Sequence, residues 1–495
     1  MMKAKRYHPL HILLNVWQLL KSTFFIFIFL FVIKSGSQSP FITYGRILSF
    51  IVIGASIISI ILEWFTHKYK LDDRTFYLYK GIFSKSERTI PFSKIQNINR
   101  HTSLFHRMFK VTSISFETGM TGEEAAVKFK VVTQLEAARM EEHITSEVSD
   151  HTMNRSSSEK AVEKVDSNRI SHFRPLKGDI LKASFTSLSF LVFLPILASL
   201  YSKVDEIFHV EKKTEGIFFT IIHSWWVVTT IVIVLIIASV IFGIVRTFLK
   251  YGKYEISSDQ DRIYITKGVI DETSFSIAKE KVQAIEIKQS IMKRLLGLTE
   301  VKLTSAGSLI LGEDTLEINS LYPFLPVKRA YEMVSEMLPA YKVTQTMKRL
   351  PKKSLWVRLF SPSWIWMIAT AVLYCFKPDV LGVERAWWIL STTLLMIIIA
   401  VRWLDYLHTL FILNEHFIQL KTGGLTTSLF VSKRDKVIEV NVKRNIFQKW
   451  LGLASIEIIN RAKPVQHNGI EDVPVEFAES FYNWYIGRGN EIKVE

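Results

Sequence analysis

A block of sequence written three times in one register constrains this chain more than any other feature. The copies begin at Gly81, Gly268 and Gly423. Thirteen positions on stand Lys94, Lys281 and Lys436. From these the strings KIQNINRHTSLFHRMFKVTSI, KVQAIEIKQSIMKRLLGLTEV and KVIEVNVKRNIFQKWLGLASI run without a gap. Thirteen residues past the lysines stand Arg107, Arg294 and Lys449, and sixteen past them Lys110, Gly297 and Gly452. A register held over that length makes the chain a triplication. Function therefore belongs to a repeated module rather than to one unique site.

Each copy directly follows a pair of apolar runs. Ile47–Phe65 alone has about the ~20 residues of a bilayer crossing. Thr23–Ile33 is shorter and reaches that length only if Leu13–Leu20 joins it and Lys21 snorkels. Ile180–Leu200 and Trp225–Val245 form a second pair, and Trp364–Phe376 with Trp387–Val401 a third. Composition agrees with spans carrying polar domains: 48% of the 495 residues are apolar, yet 22% are charged. The first run lacks a small-residue cleavage site before SGSQSP and is read as a retained helix.

Charge sets the orientation. The formal excess of +16 gathers beside the apolar runs, so it needs no nucleic acid to explain it. Lys3, Lys5 and Arg6 precede the first span, Lys68, Lys70 and Arg74 follow the second, and Arg246, Lys250, Lys352 and Lys353 continue on that side. The opposite side holds few basic residues, offset by acids such as Asp205 and Glu384. Both ends and all three blocks are thereby expected in the cytoplasm of a multi-pass cell-membrane protein.

Within a block, RTFYLYKGIF, DRIYITKGVI and HFIQLKTGGL read as strands that break at glycine. KVQAIEIKQ alternates like a half-buried strand. SIMKRLLGL and NIFQKWLGL switch to a short helical turn, with Gly297 and Gly452 as its left-handed end and Leu298 and Leu453 packing back. Lys110 departs from that rule and predicts a looser first turn. Leu104, Ile291 and Ile446 read as core. Each copy closes with an amphipathic helix, at Thr133–Val148, Pro326–Leu338 and Pro474–Tyr485. On the last of these, Trp484 is expected as an exposed position available to a partner. The modules are expected to be separate, seven-strand-like units in which Lys94, Lys281 and Lys436 superpose.

This order of hairpin, strands, the stretch K-[IV]-x-x-[IV]…[KR]-x-x-G-[LV] and a helix resembles the bacterial YdbS/YdbT-like membrane proteins with PH-like domains. Three hairpin–domain units match the YdbT-like arrangement. The resemblance implies an α+β membrane protein with six transmembrane helices in three hairpins, each followed by an antiparallel β PH-like domain capped by a C-terminal helix. The divisions expected are hairpins at 10–65, 176–249 and 355–404, PH-like domains at 66–149, 250–341 and 405–489, and a polar linker at 150–175. It also implies a smaller YdbS-like membrane partner with one such domain.

Catalytic signatures are absent from the sequence: there is no Gly-x-x-x-x-Gly-Lys-[Ser/Thr], no Gly-x-Gly-x-x-Gly, no Gly-x-Ser-x-Gly and no His-Glu-x-x-His. His101 with His106, and His408 with His416, read as surface residues rather than ligands, and Cys375 has no cysteine partner. No cofactor or metal is expected, and no enzyme activity. Glu63 and Asp405 sit only at span ends, which weighs against an ion-coupled transporter. The recurring cations Lys94, Arg107, Lys281, Arg294, Lys436 and Lys449 are candidate contacts to anionic lipid or to a partner. Solvated strand-edge charges are the plainer reading of each. The functional expectation is an interaction scaffold serving cell-envelope protection, including resistance to membrane-active peptides. The alternative is a subunit of an exporter or channel for a lipid or peptide.

Overall fold

The computed structural model describes residues 4–34, 36, 39–72, 74–82, 84–118, 126–150, 169–186, 225–305, 320–378, 386–462 and 465–487. The chain divides into two compact units, Met1–Asn168 with Ile270–Ile277, and Arg169–Val269 with Ala278–Glu495.

Among the described residues four helices are long and apolar enough to cross a membrane: Leu10–Ile33, Pro40–Thr66, Lys352–Phe376 and Trp387–His408. The first joins Leu13–Leu20 to Thr23–Ile33, because helix Leu10–Phe27 runs on as a wide-turned stretch, Ile28–Ile33. The hydroxyls of Ser22 and Thr23 donate back to the Leu19 carbonyl at 2.9 and 2.8 Å, which hides two polar groups along it. Arg46 of the second helix donates to the carbonyls of Leu30 and Lys34 at 3.0 and 2.6 Å, satisfying the end of the first. The third candidate is broken at Pro362, between Lys352–Phe360 and Trp364–Phe376. There Arg402 caps the break through the carbonyls of Leu359 and Ser361, at 3.2 and 2.6 Å. Of the middle pair, helix Lys177–Thr186 opens the first arm and Trp225–Tyr251 forms the second. The rest of Ile180–Leu200 lies outside the described residues. The described residues thus supply four candidate spans rather than six.

In the first unit β1 (Lys5–Arg6) precedes the hairpin. After it come β2 (Lys68–Leu71), β3 (Thr75–Lys80), β4 (Ser86–Pro91), β5 (Ile95–Thr102), β6 (Val111–Thr118) and β7 (Ala126–Thr133). The first four form one antiparallel sheet in chain order, and β5, β6 and β7 pair as neighbours in another. Lys5 lies opposite Tyr69 and Arg6 opposite Lys68, so the chain enters and leaves the hairpin at one end. Helix Gln134–Asp150 closes this module. Phe76, Phe116, Phe129, Ile98, Met140 and Ile144 are fully or almost fully buried between these layers, each contributing on the order of 1.5–3 kcal/mol.

The pattern repeats in the second copy with β8 (Ile170–Phe173), β9 (Glu255–Ser258), β10 (Arg262–Lys267), β11 (Glu272–Ala278), β12 (Val282–Gln289), β13 (Leu298–Ser305), β14 (Ser320–Pro326) and helix Val327–Met337. It repeats again with β15 (Lys348–Arg349), β16 (Leu410–Leu413), β17 (Phe417–Thr422), β18 (Thr427–Lys433), β19 (Val437–Lys443), β20 (Leu453–Asn460), β21 (Gln466–Pro474) and helix Val475–Ile486. Each module thus has one strand before its hairpin and six after it.

The modules are not separate, which corrects the expectation. In the first unit, Glu272–Ile277 of β11 pairs with β5. In the second, β18 pairs with β12, giving the seven-stranded order β14-β13-β12-β18-β17-β16-β15. Counting strands from the hairpin onward, the third strand of one copy lies against the fourth strand of the copy before it. Alternation specifies a buried face but not which strand covers an edge, so this exchange is silent in the sequence.

The glycines that open the copies keep φ of 113°, 96° and 117° at Gly81, Gly268 and Gly423. Gly297 and Gly452 end the short helices at φ 66° and 69°. Lys110 takes the same left-handed conformation at φ 53°, so the first turn is not looser. A Cβ on Gly423 would run into the Thr426 carbonyl oxygen, whereas one on Gly452 would meet open space. Gly452→Ala should therefore cost about 1–2 kcal/mol, the left-handed penalty alone. Gly423→Ala should cost clearly more. Thermal unfolding of the two variants in detergent checks this, and equal losses would refute it.

Candidate interaction site

Lys94, Lys281 and Lys436 occupy one element in all three copies, the last residue of a 3-10 turn joining the third strand to the fourth. The turn carries the chain from one sheet to the next, which fixes the lysines at a sheet corner. Lys94 is exposed and Lys281 half-buried, while the Lys436 ammonium stands 3.6 Å from Asp435. The superposition expected of them holds at the level of the element.

Arg107, Arg294 and Lys449 lie in the short helix after the fourth strand. Ser103, Ser290 and Asn445 cap its N-terminus, accepting from the backbone N–H groups of His106, Lys293 and Gln448. These caps are legible in the sequence as Ser or Asn just before the turn. Arg107 points at the incoming strand, with Nη2 3.5 Å from Glu272 Oε2. Arg294 does the same in the next copy, donating to Thr427 Oγ1 at 3.2 Å and to His408 Nε2 at 3.3 Å. His408 in turn donates from Nδ1 to the Gly423 carbonyl at 3.2 Å. Lys449 is exposed, and in its copy no strand arrives among the described residues.

Both junctions use one register. Thr102 lies opposite Glu272 and Gln289 opposite Thr427, and these are equivalent positions of the repeat. Side chains reinforce the backbone ladder. His101 Nδ1 meets Thr273 Oγ1 at 3.1 Å, and Ser428 donates to Glu286 at 2.6 Å. On the neighbouring strand, burial alone would push the Glu300 carboxyl up. Lys293 at 2.8 Å and Lys302 at 3.3 Å overcome this and hold it below the ordinary carboxylate range.

Two expectations fail here. Leu104, Ile291 and Ile446 are 58%, 42% and 74% exposed rather than core. Each is the first residue of a capped turn that aims it outward, while the residues after the turn, Val111, Leu298 and Leu453, take the interior. Trp484 is not an exposed contact but 8% exposed, its indole donating to the Glu415 carbonyl at 2.8 Å beneath the Arg434 guanidinium. Its spacing with Phe481 placed it on the inward stripe of its helix.

Other chemistry is sparse. His106 is buried, its ring engaged with Ser103 and the Lys130 carbonyl. No three His, Cys, Asp or Glu side chains gather at metal-binding range among the described residues. Cys375 is exposed on an apolar helix. The geometry therefore offers sheet edges, capped turns and cations, the means of joining polypeptides.

Comparison with known proteins bears on the same modules. The sequence profile described as the bacterial PH domain matches residues 24–148, 197–340 and 364–488. The chain is similar to the UPF0699 transmembrane protein YdbT of Bacillus subtilis (strain 168), 25% identical over 498 aligned positions that cover 98% of each chain. No solved structure matches the chain.

Two measurements test the junctions. A double-mutant cycle of Arg107→Ala with Glu272→Ala should give a coupling of about 0–1 kcal/mol, as both groups are exposed. Val431→Asp, which places a carboxylate at a site 0% exposed between β12 and β17, should cost about 3–5 kcal/mol. The reverse ranking in denaturant unfolding would overturn this account. Since the folded-state pKa of Glu300 is depressed, its contribution is present above the ordinary carboxylate pKa and lost as pH falls through the folded one. Glu300→Gln should accordingly flatten the acid limb of stability against pH.

Proposed function

The chain belongs to the bacterial PH domain family, and on that premise we propose a membrane-anchored PH-like interaction scaffold that works with a smaller YdbS-like membrane protein in cell-envelope protection, including resistance to membrane-active peptides. The observation that carries this reading is strand exchange in a repeated register, Thr102 opposite Glu272 and Gln289 opposite Thr427. A module that completes its neighbour's sheet is equipped to do the same for another polypeptide.

The scaffold crosses the membrane six times, with Ile180–Leu200 and Trp225–Val245 as the middle pair. Its modules and both ends lie in the cytoplasm. Three observations support this topology: β1 pairs with β2, β8 with β9 and β15 with β16, each tying the residues before a hairpin to those after it. The basic flanks select the side. Lys94, Lys281 and Lys436, held at sheet corners, serve as contacts to anionic lipid at about 1 kcal/mol each. Arg107 and Arg294 join modules within the chain, and Lys449 remains for a partner. The scaffold reading is non-catalytic.

Reporters fused after Ser149 and after Glu495 should both read cytoplasm, and one inserted at Gly36 should read exterior. An exterior C-terminus would defeat the topology. Affinity purification of the full chain in mild detergent should recover a second membrane polypeptide in constant ratio. A chain that purifies alone and turns over lipid, or carries peptide flux in vesicles, would replace the scaffold with the enzyme or exporter reading.

A further inference from the structure

The fourth strand of each copy meets a third strand at its outer edge, except in the last copy. β5 is covered by β11 and β12 by β18, while β19 pairs only with β20 among the described residues. The difference is visible in exposure. Ile287 of β12 is 6% exposed, whereas Val442, its equivalent on β19, is 39% exposed.

The direction of the free backbone groups follows from the first copy. The carbonyls of His101 and Asn99 accept from the side-chain hydroxyls of Ser113 and Ser115 on β6, at 3.2 and 3.4 Å, while in the next copy the Gln289 carbonyl, of the other parity, accepts from the Thr427 hydroxyl of β18 at 3.4 Å. Because a strand alternates, Arg100 between His101 and Asn99 turns its N–H and carbonyl toward β11. Val442 is the equivalent of Arg100, so its N–H and carbonyl face outward from β19. Beside this edge lies a groove of about 310 Å³, lined by Val442, Arg444, Val475, Ala478, Glu479 and Tyr482. Its base is apolar and its rim carries charge.

We propose that the open edge at Glu439–Lys443, with this groove, binds an extended strand of a separate membrane polypeptide, in the register of the two internal junctions and with an acidic side chain opposite Arg444. The proposal rests on the scaffold reading and names its docking site. The acidic requirement comes from charge. The position that faces Thr102 is Glu272, next to Arg107 at 3.5 Å. In the last copy the same position would face Arg444, with the exposed Lys449 standing where Arg107 stands. A second copy of this chain does not suit the site. Its own third strand, β4, has no outer neighbour among the described residues and is preceded at that position by Lys85, which would set like charges face to face.

The chain supplies its own probe, since the octapeptide DETSFSIA reproduces Asp271–Ala278, the strand that covers β5. Labelled DETSFSIA should bind the full chain in detergent micelles, read by fluorescence anisotropy. Val442→Pro removes an outward N–H from an edge strand and no internal ladder bond, so it should weaken binding about tenfold or more. If Val442→Pro does not fold, Arg444→Glu carries the test. It should weaken DETSFSIA and strengthen the peptide in which Lys replaces the Glu272 equivalent. Binding unchanged by Val442→Pro or Arg444→Glu would overturn the site. Tighter binding of KSERTIP, which is β4 with the preceding Lys85, would overturn the separate partner in favour of self-association. The peptide assay needs no cellular partner, so the two readings fail separately. Peptide binding with no partner recovered from membranes would defeat the scaffold and leave the edge standing. Partner recovery untouched by Val442→Pro would do the reverse.

Discussion

Backbone pairing across the boundary between repeats is the interaction on which the rest of this structure depends. A small sheet that ends in an uncovered strand exposes a row of N–H and carbonyl groups, a liability that proteins normally blunt or cover. Here the cover is the third strand of the following copy. The arrangement turns a repeat in sequence into a sheet continuous across copies, as in the order β14-β13-β12-β18-β17-β16-β15. It also explains why basic residues recur in the capped turn. Arg107 and Arg294 stand where the incoming strand begins, at Glu272 and Thr427.

A second constraint ties the modules to their spans. Arg358, on the short helix before Trp364, donates to Asp405 at the end of the following span at 2.5 Å and to Asp472 of the module at 3.4 Å. Its side chain is only 9% exposed. Asp472 is held in turn by Gln448 at 2.8 Å, the buried residue of the last capped turn. A guanidinium with two carboxylates is satisfied only when helix, span and sheet all arrive together. Removing Arg358 would leave the buried Asp472 carboxylate without its counter-charge. The network therefore transmits the orientation of the third hairpin to the sheet above it, and the strand pairing of β15 with β16 does so through the backbone.

Much of this was legible in the residues. The triplication, the glycine turns, the closing helices and the common place of Lys94, Lys281 and Lys436 followed from register and periodicity. The strand exchange did not, because alternation in β11 and β18 records a buried face without naming the strand beside it. Propensity alone does not predict Lys110, a non-glycine that sits in the left-handed region at φ 53° directly before the buried Val111. Apolar character does not by itself mean core, as the exposed Leu104 and Ile446 show. In a chain with apolar spans beside its modules, an exposed apolar turn is compatible with a fold that meets lipid or another polypeptide. The Arg358 network was invisible for a different reason, since its members lie 47 and 114 residues apart in sequence.

Repetition with strand exchange also gives the array a direction. Every internal junction joins a fourth strand to the third strand of the next copy, so the two ends cannot be alike. Among the described residues one end has a third strand, β4, without a neighbour on its outer side, and the other a fourth strand, β19, in the same position. A head-to-tail array of this kind would extend without limit if its ends were complementary, because a heterologous contact closes only when its rotation allows. Charge works against that outcome. Lys85 at the head would meet Arg444 at the tail, beside Lys449. The residues that differ between copies, rather than those that recur, therefore decide what the array can join.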